Sequence, residues 1–292
     1  MQSNPRIPFA MPGTAEAPAH FQGKRVVINV VVNVEHWPYD KPMPRALMTA
    51  PHGKPAESPD VPNFSWVEYG LRRGMPRLLN LLNDHGIHAS ATMNSNVCDV
   101  YPEVAERIGE AGWDIVGHGV MQQSLKAVDD EVATIRESLS RLSAFYGRPI
   151  EGWLGPGIAQ TADTADHLKA EGLAFTQDWM VDDQPCWMTT KHGPLLALPY
   201  SLELNDVPIW AINAYGSDEL YHRVKWTLPI LLREAENTTQ VLTIALHPHL
   251  VGVPHRFTFF EKLIQELASH PDITFAGSNR IAEWFIAERP AG

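Results

Sequence analysis

The longest continuous apolar run, RVVINVVVNVEH at residues 25–36, is short and rich in β-branched residues, which predicts a buried strand. Further strand-like segments follow at 88–94 (HASATMN), 114–119 (DIVGHG), 150–155 (IEGWLG), 174–179 (AFTQDW), 195–200 (LLALPY), 240–249 (QVLTIALHPH) and 272–277 (DITFAG). Between them, apolar residues recur at three and four spacing, predicting helices over 66–87, 101–113, 129–147, 161–173, 217–237, 256–270 and 280–288. Gly86 and Gly112 punctuate helix ends, Pro102 suits a first turn, Thr161 reads as a cap, and Pro229 is expected to kink or interrupt its helix.

Strand and helix alternate without a break in composition, which predicts a parallel sheet closed into a barrel with helices outside. An open doubly wound sheet is the competing architecture. No GxGxxG or GxxxxGK follows the first strand, so a nucleotide-binding version has no motif behind it. Residues 1–24 are rich in Pro and Gly and read as an extended arm; residues 25–292 read as one (β/α)-barrel domain. The proline-rich stretch 37–64 has no period. A loop of that length in a compact domain is usually functional, and Trp37 and Tyr39 would give it an apolar roof.

Composition narrows the function. The net charge is -11, with 34 acidic against 23 basic residues, and no clustered Lys and Arg suited to nucleic acid. The N-terminal segment has no apolar core, and Val26 to Val34 falls well short of the ~20 residues of a membrane span. A cytoplasmic protein without a membrane partner is expected. The 2 cysteines, Cys98 and Cys186, lie far apart and read as free thiols.

In a parallel α/β barrel the site forms at the carboxyl ends of the strands. Those ends carry Glu35 and His36; His118; Trp153, Gly155 and Pro156; Asp178, with Asp182 and Asp183 beyond; Tyr200; and His247 with His249. Glu35 follows an apolar run and is expected to be desolvated. Desolvation raises a carboxyl pKa and suits a general base or a metal ligand. An ion pair with Arg72 or Arg73 is the bland alternative for Glu35, and a loop cap is the bland alternative for Asp182 and Asp183.

The ordered segments NVEH, GHG, GWLGPG, DWMVDDQP and LHPHLVG resemble the polysaccharide-deacetylase superfamily (carbohydrate esterase family 4), in its allantoinase and cyclic imide hydrolase branch. The resemblance runs from about Arg25 to Trp284 and implies a distorted (β/α)-barrel of seven or eight strands. It aligns Glu35 with the family's catalytic-base aspartate, His36 with its metal-binding aspartate, His118 with the first metal histidine and His247 with the general acid. Gln122 stands where a second histidine is found, and GWLGPG has lost an arginine.

These departures point away from polymer deacetylation and toward hydrolytic opening of a cyclic imide. The expected catalytic residues are Glu35, His118 and His247. Trp153, Gly155, Asp182, Asp183 and Tyr200 are expected to bind substrate. Two alternatives stay open for the cofactor: one divalent metal such as Zn2+, with Glu35, His36 and His118 as candidate ligands, or none. Other readings are an allantoinase-like cyclic amide hydrolase, an N-acetyl sugar deacetylase and a non-catalytic ligand-binding barrel. A homo-oligomer, a tetramer by resemblance, is the expected assembly.

Overall fold

The computed structural model describes residues 3–11, 17–49 and 57–291. Parts of the expected arm (12–16) and of the expected roofing loop (50–56) lie outside the described residues. The strands are β1 (Val26–Val34), β2 (Ser90–Met93), β3 (Asp114–Gly117), β4 (Gly152–Trp153), β5 (Phe175–Thr176), β6 (Cys186–Thr190), β7 (Gly193–Ala197), β8 (Gln240–Leu246) and β9 (Ile273–Phe275). They form a curled sheet in the order β6-β7-β5-β4-β3-β2-β1-β8, with β9 also pairing β1. All pairings are parallel except β6–β7. The result is the distorted barrel expected from the sequence, with an antiparallel edge that its pattern did not reveal.

The curl does not close by strand pairing. Between β7 and β8 the seam is filled by the chain after β7: Ala245 N donates to Leu204 O at 3.0 Å, and Thr243 Oγ1 donates to Pro199 O at 2.6 Å.

Alternation along the strands separates two apolar layers. On β1 the even-numbered residues Val26, Ile28, Val30, Val32 and Val34 pack in the outer layer beneath the helices. Val27 and Val31 join Val116, Leu154, Leu196 and Ala245 in the barrel interior. A strand puts successive side chains on opposite faces, so Glu35 follows the interior row and His36 the exterior one.

The first helical region starts earlier than its periodicity indicated. Helix α1 (Val61–Tyr69) is capped by Asp60, whose side chain accepts from Asn63 N, and Pro62 occupies the first turn. A π-helical turn at Gly70–Gly74 then joins it to α2 (Met75–Asp84). The turn has a packing cause: a Cβ on Gly70 would lie 2.4 Å from His249 N, and one on Gly74 2.0 Å from Pro248 O. These glycines let the helix touch the backbone that follows β8.

The remaining helices are α3 (Val97–Val100), α4 (Pro102–Glu110), α5 (Glu131–Tyr146), α6 (Thr164–Ala170), α7 (Glu219–Glu234), α8 (Pro254–Ala268) and α9 (Ser278–Glu288). Helix α7 runs through Pro229 as one element. Thr161 does not cap α6; its N–H donates instead to Thr164 Oγ1 at 2.8 Å. The arm's first residues pack on their own barrel, with Ile7 buried and Arg6 paired with Asp166 at 3.0 Å. No helix among the described residues is long and apolar enough to cross a membrane.

Candidate active site

Glu35, one residue beyond β1, is 5 % exposed and lies at the carboxyl end of the barrel. Its Oε1 is 3.4 Å from His247 Nε2 and 3.6 Å from His118 Nε2. Its Oε2 accepts the indole N–H of Trp37 at 2.7 Å. Trp37 is two residues on and therefore returns to the interior face. Arg72 pairs with Glu68, not with Glu35.

Each histidine is oriented by a partner on its other ring nitrogen. His118 Nδ1 donates to Leu154 O at 2.6 Å, which leaves Nε2 directed at Glu35 and without a hydrogen-bond partner. His247 is held by one carboxylate at two points: Asp206 Oδ2 accepts its backbone N–H at 2.6 Å, and Asp206 Oδ1 pairs with Nδ1 at 2.7 Å. Asn94 ties the strand ends together by accepting His36 N–H and donating to His118 O.

The electrostatics follow from these contacts. Burial opposes the charged form of His247, but the carboxylates of Asp206 and Glu35 outweigh it and push the imidazole up to about 9. Burial alone would raise Glu35. The charge of His247, with both imidazoles close to the carboxylate, overcomes that and holds it well below the usual carboxylate range. The sequence expectation of a raised, desolvated Glu35 is thus corrected, because the cation beside it dominates. His249, buried and facing the His247 charge, is pushed down to about 3. It is a neutral plate, edge-on to both His247 and Trp37 with ring centroids 5.6 and 5.8 Å away.

These groups line a cavity of about 220 Å³. Gly155 and Tyr200, two of the residues expected to bind substrate, border it, with Gln122, Arg45 and Gly157 in the same wall. Gly155 N–H is already committed to Asp178 Oδ1 at 2.7 Å, and burial raises that carboxyl to about 6. Tyr200 is bonded to Asn33 at 3.1 Å.

Other expected residues fall elsewhere. Trp153 belongs to the outer layer with Ile135 and Leu168, one residue out of phase with the interior row. Asp182 and Asp183 line a separate hollow beside α7, and Asp182 caps a turn by accepting Gln184 N–H at 3.0 Å. Tyr39 is exposed and packs edge-on to Phe64, outside the cavity.

His36 takes the exterior phase. Its Nδ1 meets Asn96 Nδ2 at 3.2 Å and its ring packs against Tyr101, so it does not border the cavity. Glu35, His36 and His118 therefore do not converge as zinc ligands. Among the described residues, no group of three His, Cys, Asp or Glu is arranged to hold a metal ion.

Asp206 was missed from the sequence. It sits in LELNDVPIW, an irregular stretch with no strand-end signal; a carboxylate just before the apolar VPIW was the one available cue. Arg45 and Gln122 also come from irregular chain.

The polysaccharide deacetylase family model matches residues 65–176. That span contains His118, while Glu35 and His247 lie outside it. A Schizosaccharomyces pombe protein named "Putative polysaccharide deacetylase" is 27% identical over 245 residues, 77% of this chain and 77% of that protein. A Helicobacter pylori peptidoglycan deacetylase is 19% identical over 249 residues, 74% of this chain and 85% of that protein. The crystal structure of Puue allantoinase superposes with a TM-score of 0.86 at 23% identity, covering 96% of this chain and 97% of that one. This last likeness is one of fold.

Proposed function

We propose that the protein is a carbon–nitrogen hydrolase that opens a small cyclic imide, of succinimide or dihydropyrimidine type, to its half-amide. The observation that carries this reading is the Glu35–His247–Asp206 relay facing a cavity of only about 220 Å³. Such a volume suits a ring of a few heavy atoms, below the range usual for drug-sized ligands.

In this mechanism a water on the cavity side donates to both Glu35 Oε1 and His118 Nε2. Glu35 takes its proton as the oxygen bonds to a ring carbonyl carbon. His247, charged at neutral pH and held by Asp206, gives its Nε2 proton to the ring nitrogen as the C–N bond breaks. The second carbonyl delocalises charge on that nitrogen, so a modest acid suffices. The oxyanion needs a donor. Pro156 has no N–H, and those of Gly155 and Ile158 are committed, which leaves Gly157 N–H in the cavity wall. No step passes through a metal.

The family match over 65–176 favours a second reading, hydrolysis of an N-acetyl group, and the likeness to an allantoinase suggests a third, opening of a cyclic ureide-type amide. A turnover panel separates them: succinimide, dihydrouracil, a hydantoin and an N-acetylglucosamine oligomer. Ring opening of the imides with the oligomer untouched is expected; deacetylation of the oligomer at a comparable rate would replace the imide reading. The same proposal takes the protein as a cytoplasmic homo-oligomer; light scattering tests the assembly, and a monomer at working concentration would count against it.

A further inference from the structure

Arg45 is a half-buried guanidinium in the wall of the catalytic cavity. Its place is built. Two and three residues on, Leu47 N and Met48 N both donate to Asn63 Oδ1 at 2.8 Å, and Asn63 Nδ2 donates back to Met48 O at 3.0 Å. Asn63 is buried in the first turn of α1 and also bonds Asp60 Oδ2 at 2.7 Å. Leu47 packs on the main apolar layer. The loop that presents Arg45 is therefore fastened to the barrel.

Among the described residues, nothing in the protein pairs with this side chain: it has no salt bridge, hydrogen bond or ring contact. In a chain with 34 acidic and 23 basic residues, a half-buried cation without a partner among the described residues needs explaining.

The other charged groups of the cavity are already committed. Glu35 is held by Trp37 and faces both histidines, and His247 is paired with Asp206. Arg45 is left as a planar fork of donors shaped for two oxygens of a carboxylate. The catalytic cluster sets two carboxylates against one imidazolium, so an anionic ligand entering it would be repelled unless a cation offsets that field.

We infer that Arg45 recognises a carboxylate on the ligand of this cavity. The carboxylate has two sources under the proposed ring opening, on which this inference rests: a substituent on the substrate ring, or the carboxylate that hydrolysis creates. The loss of the family's arginine from GWLGPG does not leave the cavity without a guanidinium, because the loop after β1 supplies one.

The test compares wild type with Arg45→Met and Arg45→Lys. Calorimetry uses succinamate, a carboxylate half-amide, beside succinamide, its neutral counterpart. Wild type should bind succinamate about 10-fold or more tightly than succinamide. Arg45→Met should lose that preference while binding succinamide as before, and Arg45→Lys should retain part of it. Steady-state kinetics on succinimide and a carboxylated succinimide then separates the sources. A KM raised only for the carboxylated ring assigns Arg45 to a substrate substituent; weakened inhibition by succinamate with both KM values unchanged assigns it to product. Equal affinity of wild type for succinamate and succinamide, or the same loss for both in Arg45→Met, overturns the inference. If wild type opens no ring, the imide reading fails, while the calorimetry still decides the role of Arg45.

Discussion

At the amino end of the barrel, Asn29 of β1 meets Ser90 of β2 and Ser278 of α9. Asn29 Nδ2 donates to Ser278 Oγ at 3.0 Å, Ser278 Oγ donates to Ser90 Oγ at 2.8 Å, and Ser90 Oγ donates to Asn29 Oδ1 at 3.1 Å. Gln177 adds a fourth member through its Nε2, 3.3 Å from Ser278 Oγ. At the carboxyl end the same interior row presents Glu35, and there the partners are His118, His247 and Trp37. Both clusters are buried and both sit on β1. The lower one is neutral, and its Asn29–Ser90–Ser278 ring closes on itself, joining α9 to two strands and leaving only the outlying Gln177 Oε1 without a partner. The upper one is charged and leaves capacity unused, since His118 Nε2 has no hydrogen-bond partner. A neutral ring of hydrogen bonds specifies structure, whereas a cluster of opposed charges with a free ring nitrogen is equipped to bind and move a proton.

The largest effect should come from breaking the upper cluster at its centre. Glu35→Gln keeps the shape but cannot accept a proton from water. Turnover should fall at least ~10²-fold with the circular dichroism spectrum unchanged; near-normal turnover would remove Glu35 from the chemistry.

Next comes Asp206→Asn. In wild type the acid His247 should stay protonated until pH approaches about 9, so the alkaline limb of kcat should lie there. Removing the carboxylate should move that limb down toward the ordinary histidine range and lower the plateau. The same linkage has a sign for stability. The folded pKa of His247 is raised, so its contribution is complete below the unfolded value of about 6.5 and is lost as pH rises through about 9. Denaturation of wild type and variant across that window checks both, and an unmoved limb would separate Asp206 from His247.

Trp37→Phe removes one N–H while keeping the apolar plate beside His249. The lost bond is to a carboxylate, so kcat should fall by about ten-fold or somewhat more with little change in KM. A rise in KM alone would make Trp37 a wall and not a support for Glu35.

The lower cluster should respond in the opposite currency. Ser278→Ala should cost about 1–3 kcal/mol in chemical denaturation, by leaving Asn29 and Ser90 short of partners, with kcat unchanged. A large loss of turnover at equal stability would erase the contrast between the two ends.

The smallest effect is expected outside both clusters. His36→Gln, and separately exhaustive chelation, should leave turnover within a few-fold of wild type, because His36 faces Asn96 and Tyr101. Loss of activity on chelation, restored by zinc, would show that a metal serves the site after all.

The sequence by itself determined the alternating elements and the strand ends that carry Glu35, His118 and His247. The reason is periodicity: an apolar run with a period of two fixes which residues share a face, and a parallel barrel gathers strand ends at one rim. The same rule, applied one residue further, places His36 and Trp153 on the outer face. Asp206, Arg45 and Gln122 were not legible in this way. They come from irregular chain, where no period relates a side chain to a face. Only the folded seam between β7 and β8 brings Asp206 beneath His247, and only the tether through Asn63 fastens the loop that carries Arg45 into the cavity wall. The charge state of Glu35 was likewise decided by the tertiary structure: burial could be read from its neighbours in sequence, but the sign of its shift depends on a histidine more than two hundred positions away.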